Sequence, residues 1–242
     1  MSGETLSLVI PAYNEEMTIC IVLDEAAREF SAAGLARYEL LVVDDGSTDE
    51  TRSRAQDWAR AHPAARVLHH AARKGLGESL RTGFASATLD TVTWLPGDGQ
   101  FAPGDSLRLL RALGDADIIV GDVAPSRRVK ADSVGRLILS RGLRLLMHAA
   151  SRQLVTYTGL VLFRRRILDG VPLTGRTGIV NFELINKAAW RGAAIRRADF
   201  HVEVRARRAG QSKVANIPTV AQHLQELGAL RSWRRSIEQG AA

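Results

Sequence analysis

The sequence is poor in the residues that staple or anchor a chain. It holds one cysteine, Cys20, among 242 residues. An internal disulfide is therefore excluded, and a reducing compartment is the expectation. Aromatic residues make up only 5%, which leaves the core to Leu, Val, Ile and Ala. No apolar run approaches the roughly 18 residues that span a bilayer; the longest, Leu6–Ile10 and Leu40–Val43, are strand-sized. The stretch from Met1 to Leu6 carries an acid and no basic start region, so no signal peptide is expected and the expected location is cytoplasmic. The basic residues lack aromatic interleaving, so nucleic acid is not an expected partner. There is no internal repeat and no low-complexity linker.

What is present suits a folded α/β domain. Hydrophobic residues make up 45% and charged residues 24%, and the length supports a core without disulfides or structural metal. The net charge of +7 conceals a polarity. Residues 1–120 hold 11 Lys and Arg against 18 Asp and Glu, whereas residues 121–242 hold 22 against 8. A basic half favours phosphates or an anionic membrane face, although a solvated Arg-rich surface has the same composition.

Short apolar runs alternate with helical patterns through the first half. Strands are expected at Ser7–Ile10 (stopped by Pro11), Leu40–Val43, Arg66–His69, Thr91–Leu95 and Asp117–Val120. Helices are expected from Asn14 to Phe30, from a Ser47 or Thr48 cap to Ala61, from Gly77 to Ala87, and over Ser106–Leu113. This pattern predicts a mostly parallel sheet with ligands at the carboxyl ends of its strands. The turns Pro11–Glu15, Asp44–Asp49 and Pro96–Gln100 should then meet in one crevice. Further on, Val134–Ala150 is amphipathic and Leu160–Phe163 is apolar. Asn181–Arg191 reads as helix, Ile195–Val204 as strand, Arg205–Lys213 as a loop, and Val220–Gln239 as a helix whose Leu224, Leu227, Leu230 and Trp233 could form a homodimer contact.

Four segments carry chemistry. Pro11-Ala12-Tyr13-Asn14-Glu15 sets an aromatic and an acid at a strand tip, where they could grip a base and ribose; a capped helix start explains it equally well. Val43-Asp44-Asp45-Gly46-Ser47-Thr48-Asp49 places adjacent carboxylates at a strand end, which is costly unless they meet donors or metal. Arg73-Lys74-Gly75-Leu76-Gly77 joins basic residues to glycines before a helix, as a phosphate-facing loop does. Pro96-Gly97-Asp98-Gly99-Gln100 offers a carboxylate and an amide oxygen to Mg2+ or Mn2+, or is a plain Asp-Gly turn. His148, His201 and His223 are scattered and read as structural, and His69-His70 is not a metal site on spacing alone.

In this order, the four segments resemble family 2 glycosyltransferases, whose pattern runs "IPAYNE", "VDDGSTD", "R-K-G-x-G", "D-A-D-x-Q". Phe163-Arg164-Arg165 and the run from Arg207 through Gly210 to Ser212 and Lys213 resemble the "F-R-R" and "R-x-x-G-x-S-K" of dolichol- and polyprenyl-phosphate mannosyl- and glucosyltransferases. The resemblance spans about residues 5–225. It implies one GT-A, Rossmann-like α/β domain over 1–242: a nucleotide-sugar half at 1–120 and a basic acceptor-side half at 121–242. By the same resemblance, Pro11, Tyr13, Asn14 and Glu15 contact the nucleotide, and Val43, Asp44 and Asp45 read base and ribose. Lys74 and Gly75 lie at the phosphate loop, Asp98 and Gln100 hold Mg2+ or Mn2+, and Arg207 and Lys213 face the diphosphate and the acceptor phosphate. Asp98, Arg207 and Lys213 are the candidate catalytic groups.

The chain departs from the pattern in three places. Pro96 stands where the metal motif has its first Asp, Val155–Leu160 lacks the acceptor-side carboxylate, and Gly121-Asp122-Val123 replaces "G-S-R", with Arg127 and Arg128 downstream. The implied activity is inverting transfer of a hexose from a UDP- or GDP-sugar to a polyprenyl phosphate, with peripheral contact at the inner membrane face through Val134–Ala150 and the tail. Two other readings stand beside it. One is a soluble glycosyltransferase acting on a hydroxyl or amine, with Asp122 as its base; the other is a degenerate, non-catalytic sugar-nucleotide binder.

Overall fold

A computed structural model of the protein describes residues 4–123, 147, 159–206 and 217–239. The elements are β1 (Thr5–Ala12), α1 (Ile19–Ala32), β2 (Arg37–Asp44), α2 (Thr51–Arg60), β3 (Ala65–His69), α3 (Leu76–Ser86), β4 (Thr91–Trp94), α4 (Pro103–Leu113), β5 (Ile118–Val123), β6 (Leu160–Arg164), a 3-10 turn (Arg165–Gly170), α5 (Ile179–Trp190), β7 (Ile195–Val202) and α6 (Ile217–Glu238).

The strands form one sheet in the order β3-β2-β1-β4-β6-β5-β7. All neighbours are parallel except β6, which runs antiparallel to both β4 and β5. The expected mostly parallel sheet is present. The apolar run of β6 is buried on both faces, and such a run fits either direction, so its reversal could not be read from periodicity.

Strand alternation divides the core in two. Leu8, Ile10, Leu40, Val42 and Leu162 face α1 and α4, packing on Leu23, Phe30 and Leu109. Val9, Leu41, Val43, Val161 and Phe163 face α3 and α5, packing on Leu80, Phe84 and Leu184. Each such side chain contributes about 1.5–3 kcal/mol by leaving water. Phe84 and Phe163 add an edge-to-face contact, with centroids 5.1 Å apart.

Several boundaries differ from expectation. Pro11 does not end β1, because its carbonyl stays usable and accepts the Gly97 N–H at 3.0 Å. Helix α1 starts at Ile19 rather than Asn14, since Asn14 is left-handed at φ 52. Helix α2 starts at Thr51 rather than at a Ser47 or Thr48 cap, because those two hydroxyls are used against Asn14. Helix α4 begins at Pro103 rather than Ser106, with proline in the first turn where its missing N–H costs nothing. Strand β7 stops at Val202, leaving Val204 a single bridge to Phe101.

The dimer stripe expected on the tail is largely occupied within the chain. Leu227 and Leu230 pack on Ile179 and Phe182 of α5, Trp233 lies 6.0 Å from Trp190, and Leu224 stays exposed. No helix among the described residues is long and apolar enough to cross a membrane. The amphipathic stretch Val134–Ala150 lies outside the described residues apart from Met147.

Candidate active site

The three turns do meet. The Asp45 N–H donates to the Ala12 carbonyl at 2.8 Å, and the Gly97 N–H to the Pro11 carbonyl at 3.0 Å, so the tips of β1, β2 and β4 are tied together. Thr18 Oγ1 then donates to the Gly97 carbonyl at 2.8 Å, fastening the start of α1 to the same point.

Asn14 is the link between the first two turns. Asparagine tolerates the left-handed backbone better than most residues. There its N–H reaches Ser47 Oγ at 3.0 Å, and its Oδ1 accepts the Thr48 N–H at 2.9 Å. Glu15 is buried; its N–H donates to Thr51 Oγ1 at 2.7 Å, and its carbonyl accepts the Thr18 and Ile19 N–H groups. Burial works against the charge of Asp49, yet the Thr51 hydroxyl and N–H and the Glu16 N–H hold its carboxyl below the ordinary range. The polar turn is thus rigid before any ligand arrives.

The two adjacent carboxylates have different surroundings. Asp45 is buried with both oxygens engaged: Oδ1 by His70 Nδ1 at 2.8 Å and the Lys74 N–H at 2.9 Å, Oδ2 by the Gly75 N–H at 2.8 Å. It fastens the Arg73–Gly77 loop, so the amides of Lys74 and Gly75 point at Asp45, while the Lys74 side chain is exposed. Asp44 is fully buried; Oδ1 accepts the Ser47 N–H at 3.2 Å. Its Oδ2 has no hydrogen-bond partner and lies 3.4 Å from His69 Nδ1. A buried carboxylate oxygen without a donor costs free energy that a ligand N–H or O–H can recover.

Tyr13 lies under the Arg73 guanidinium, 4.4 Å from ring centroid to Cζ, joining the first turn to the loop. Pro11 and Val43 sit inside their strands, and Val43 is fully buried in the core, so only its backbone borders the crevice. Glycine is required at two places. Gly46 has φ +70, and a Cβ there would lie 2.7 Å from the Ala72 carbonyl carbon; a Cβ on Gly77 would collide with the Arg176 backbone, whose carbonyl accepts the Gly77 N–H at 2.9 Å.

Asp98 is buried at the β4 tip, with Oδ1 accepting the Gln100 N–H at 3.0 Å. The Gln100 carbonyl accepts the Arg205 N–H at 2.7 Å, tying this turn to the segment that follows β7. Among the described residues no group of three or more His, Cys, Asp or Glu could enclose a metal ion. Asp98 and Gln100 offer hard oxygen donors of the kind Mg2+ and Mn2+ accept, with ligand oxygens left to complete the shell. Asp122 pairs with Arg197 at 3.2 Å beside an irregularity in the β5–β7 ladder. Arg207 and Lys213 lie outside the described residues.

Residues 7–170 match the model of the family described as glycosyl transferase family 2. The chain belongs to that family. This family 2 chain is 27% identical to dolichol-phosphate mannosyltransferase of Pyrococcus furiosus over 244 residues, covering 96% of itself and 65% of the relative. It is 30% identical over 223 residues to an uncharacterized glycosyltransferase of Mycobacterium bovis, covering 89% and 92%. Among solved structures it is similar to glucosyl-3-phosphoglycerate synthase from Mycobacterium tuberculosis in complex with Mn2+, UDP and phosphoglyceric acid. That match has a TM-score of 0.61 at 26% identity and covers 99% of this chain and 79% of the other. The fold is GT-A. The family 2 chain spans about half to two-thirds of the length of the curated lipid-phosphate relatives it matches.

Sequence reasoning missed the residues that hold the site from behind. His70 is set aside there as no metal ligand, with no partner named, and Thr51, Arg176 and Glu226 are not singled out. Glu226 of α6 accepts the Arg176 and Thr177 N–H groups at 2.9 and 3.2 Å, pressing that segment towards Gly77. The contacts by which these residues hold the site join positions 25 or more apart. Their only trace in the sequence is Asp44-Asp45 and His69-His70 falling at the ends of neighbouring strands.

Proposed function

We propose that the chain is an inverting, metal-dependent hexosyltransferase that moves a sugar from a UDP- or GDP-hexose to a polyprenyl phosphate. The observation that carries the donor half is Asp44: a fully buried carboxylate oxygen without a hydrogen-bond partner, at the meeting point of three strand tips in a family 2 chain. A base N–H or a ribose hydroxyl is the donor it lacks. Tyr13 and Arg73 border the base, and the Arg73–Gly77 loop borders the diphosphate. Asp98 and Gln100 would hold Mg2+ or Mn2+, which neutralises a departing diphosphate. The names of the relatives support the acceptor: dolichol-phosphate mannosyltransferase and, at 29% identity, undecaprenyl-phosphate mannosyltransferase of Micrococcus luteus.

A phosphate acceptor is already ionised, so the chain needs no strong base and needs cations instead. Arg207 and Lys213 are assigned that role, and the basic excess of residues 121–242 would hold the protein at an anionic inner membrane face. The exposed Leu224 is what remains of a dimer contact on α6. A second reading is favoured by the likeness to the glucosyl-3-phosphoglycerate synthase over 99% of the chain: a small soluble phosphorylated acid that accepts the sugar on a hydroxyl.

The test is transfer from UDP- and GDP-hexoses by the full chain with Mn2+, offered either a short polyprenyl phosphate or phosphoglyceric acid. Glycolipid formation lowered about a hundredfold in Asp98→Ala is expected. Product on phosphoglyceric acid alone moves the acceptor to the soluble class, and donor binding without any product leaves a sugar-nucleotide binder.

A further inference from the structure

Beside the candidate site lies a buried histidine to which the catalytic scheme gives no role. His70, just past the end of β3, is 5% exposed. Its Nδ1 lies 2.8 Å from Asp45 Oδ1 and its Nε2 lies 3.0 Å from Thr82 Oγ1 on α3. Asp45 in turn accepts the Lys74 and Gly75 N–H groups. Thr82, His70, Asp45 and the loop backbone thus form one unbroken chain of hydrogen bonds, from the middle of α3 to the residues just before it.

We propose that His70 is a positioning residue of the donor site, acting through Asp45 on the Lys74–Gly75 backbone; this rests on the reading of that loop as the border of the donor diphosphate. A buried carboxylate needs donors around it, and hydrogen bonds to a charged acceptor are the strong ones. Two loop N–H groups and the His70 Nδ1 converge on Asp45, so among the described residues His70 is the one side chain from outside that loop that holds the carboxylate. With Nδ1 carrying its proton towards Asp45, the Thr82 hydroxyl donates to Nε2, and the ring is fixed from both sides. At φ +97 the Gly75 backbone is one that glycine adopts freely, so its own conformation does not fix the loop and the hydrogen bonds to Asp45 do. Without His70, Asp45 would keep its two loop amides, but carboxylate and loop could move together. His70 itself touches neither the sugar nucleotide nor the metal.

The experiment compares the full chain with His70→Ala, His70→Asn and Thr82→Val. Asparagine sets an amide N–H close to where imidazole Nδ1 lies, so it restores the donor without the ring. Two readouts are used: hydrogen exchange at the Lys74 and Gly75 amides in the free protein, and calorimetric binding of UDP and of GDP with MnCl2. In His70→Ala, exchange at both amides should quicken about tenfold and the nucleotide affinity should fall about tenfold, while Thr82→Val shifts both in the same direction by less. His70→Asn should return both to within about threefold of the parent.

Unchanged exchange in His70→Ala overturns the proposal. So does an Asn variant as impaired as the Ala variant, because His70 would then only be filling space. If the parent chain binds neither nucleotide, the donor reading fails, and the exchange measurement still decides whether His70 holds the loop.

Discussion

Asn14 and Glu39 do opposite jobs with polar side chains. Asn14 supports a left-handed turn and holds the Asp44–Asp49 turn against it. Asn14→Ala removes both the backbone tolerance and the clamp and should cost about 1–3 kcal/mol, whereas Asn14→Gly keeps the backbone and should cost less; thermal melting of the two variants checks the order. Glu39 lies buried at the other end of β2. Burial alone would raise its carboxyl, yet hydrogen bonds from Ser7, from the Thr88 N–H and hydroxyl, and from Arg66 hold it below the ordinary value. The stability it supplies is complete above the ordinary glutamate value of about 4.3 and drains away as pH falls through the lowered folded value. Glu39→Gln should lower stability at neutral pH by about 1–3 kcal/mol. Its melting temperature should then fall less steeply than the parent's between neutral and acid pH. Asp44 and Asp45 were legible as a functional pair because two adjacent acids at a strand end demand donors. That one is held by the fold and the other is left with an unmet oxygen depends on His70, a residue 25 positions from Asp45, and no local pattern reports it.

At the scale of elements, strand and helix order through β5 could be read from alternation and from Gly and Pro punctuation. One boundary that moved, the start of α2, did so because side chains were recruited by a distant turn, as Ser47 and Thr48 were by Asn14. The segment before α5 was opaque for another reason. Its anchor is a buried ion pair, Lys187 with Glu183 at 2.7 Å, on a helix whose sequence resembles an ordinary half-exposed one. Glu183 also accepts the Thr174 and Gly175 N–H groups, and Lys187 Nζ donates to the Pro172 carbonyl. Lys187→Met strands the carboxylate in the core and should cost about 3–5 kcal/mol in chemical denaturation. The Glu183→Gln, Lys187→Met double variant should recover part of that loss, because no net charge then stays buried.

For the whole molecule, the chain is acidic up to residue 120 and basic beyond it. If the basic half faces an anionic membrane, cosedimentation with phosphatidylglycerol vesicles should drop several-fold as NaCl rises from about 0.05 to about 0.5 M, because screening shortens the reach of those charges; phosphatidylcholine vesicles should bind little at either salt. The charge polarity was plain from composition. The mostly parallel sheet was legible too, from alternation; the return of β6 against its neighbours, between β4 and β5, was not.

That return has an architectural consequence. The chain leaves the sheet after Val123 and re-enters at Leu160, which pairs directly with Gly121. Gly159 lies so close to the β5 backbone that a side chain there would strike the Gly121 carbonyl. Departure and return are therefore fastened side by side, whatever the length of the excursion between them. A change in the chain between Val123 and Gly159 is expected to leave the β5–β6 ladder in register, which circular dichroism and melting of such a variant would check.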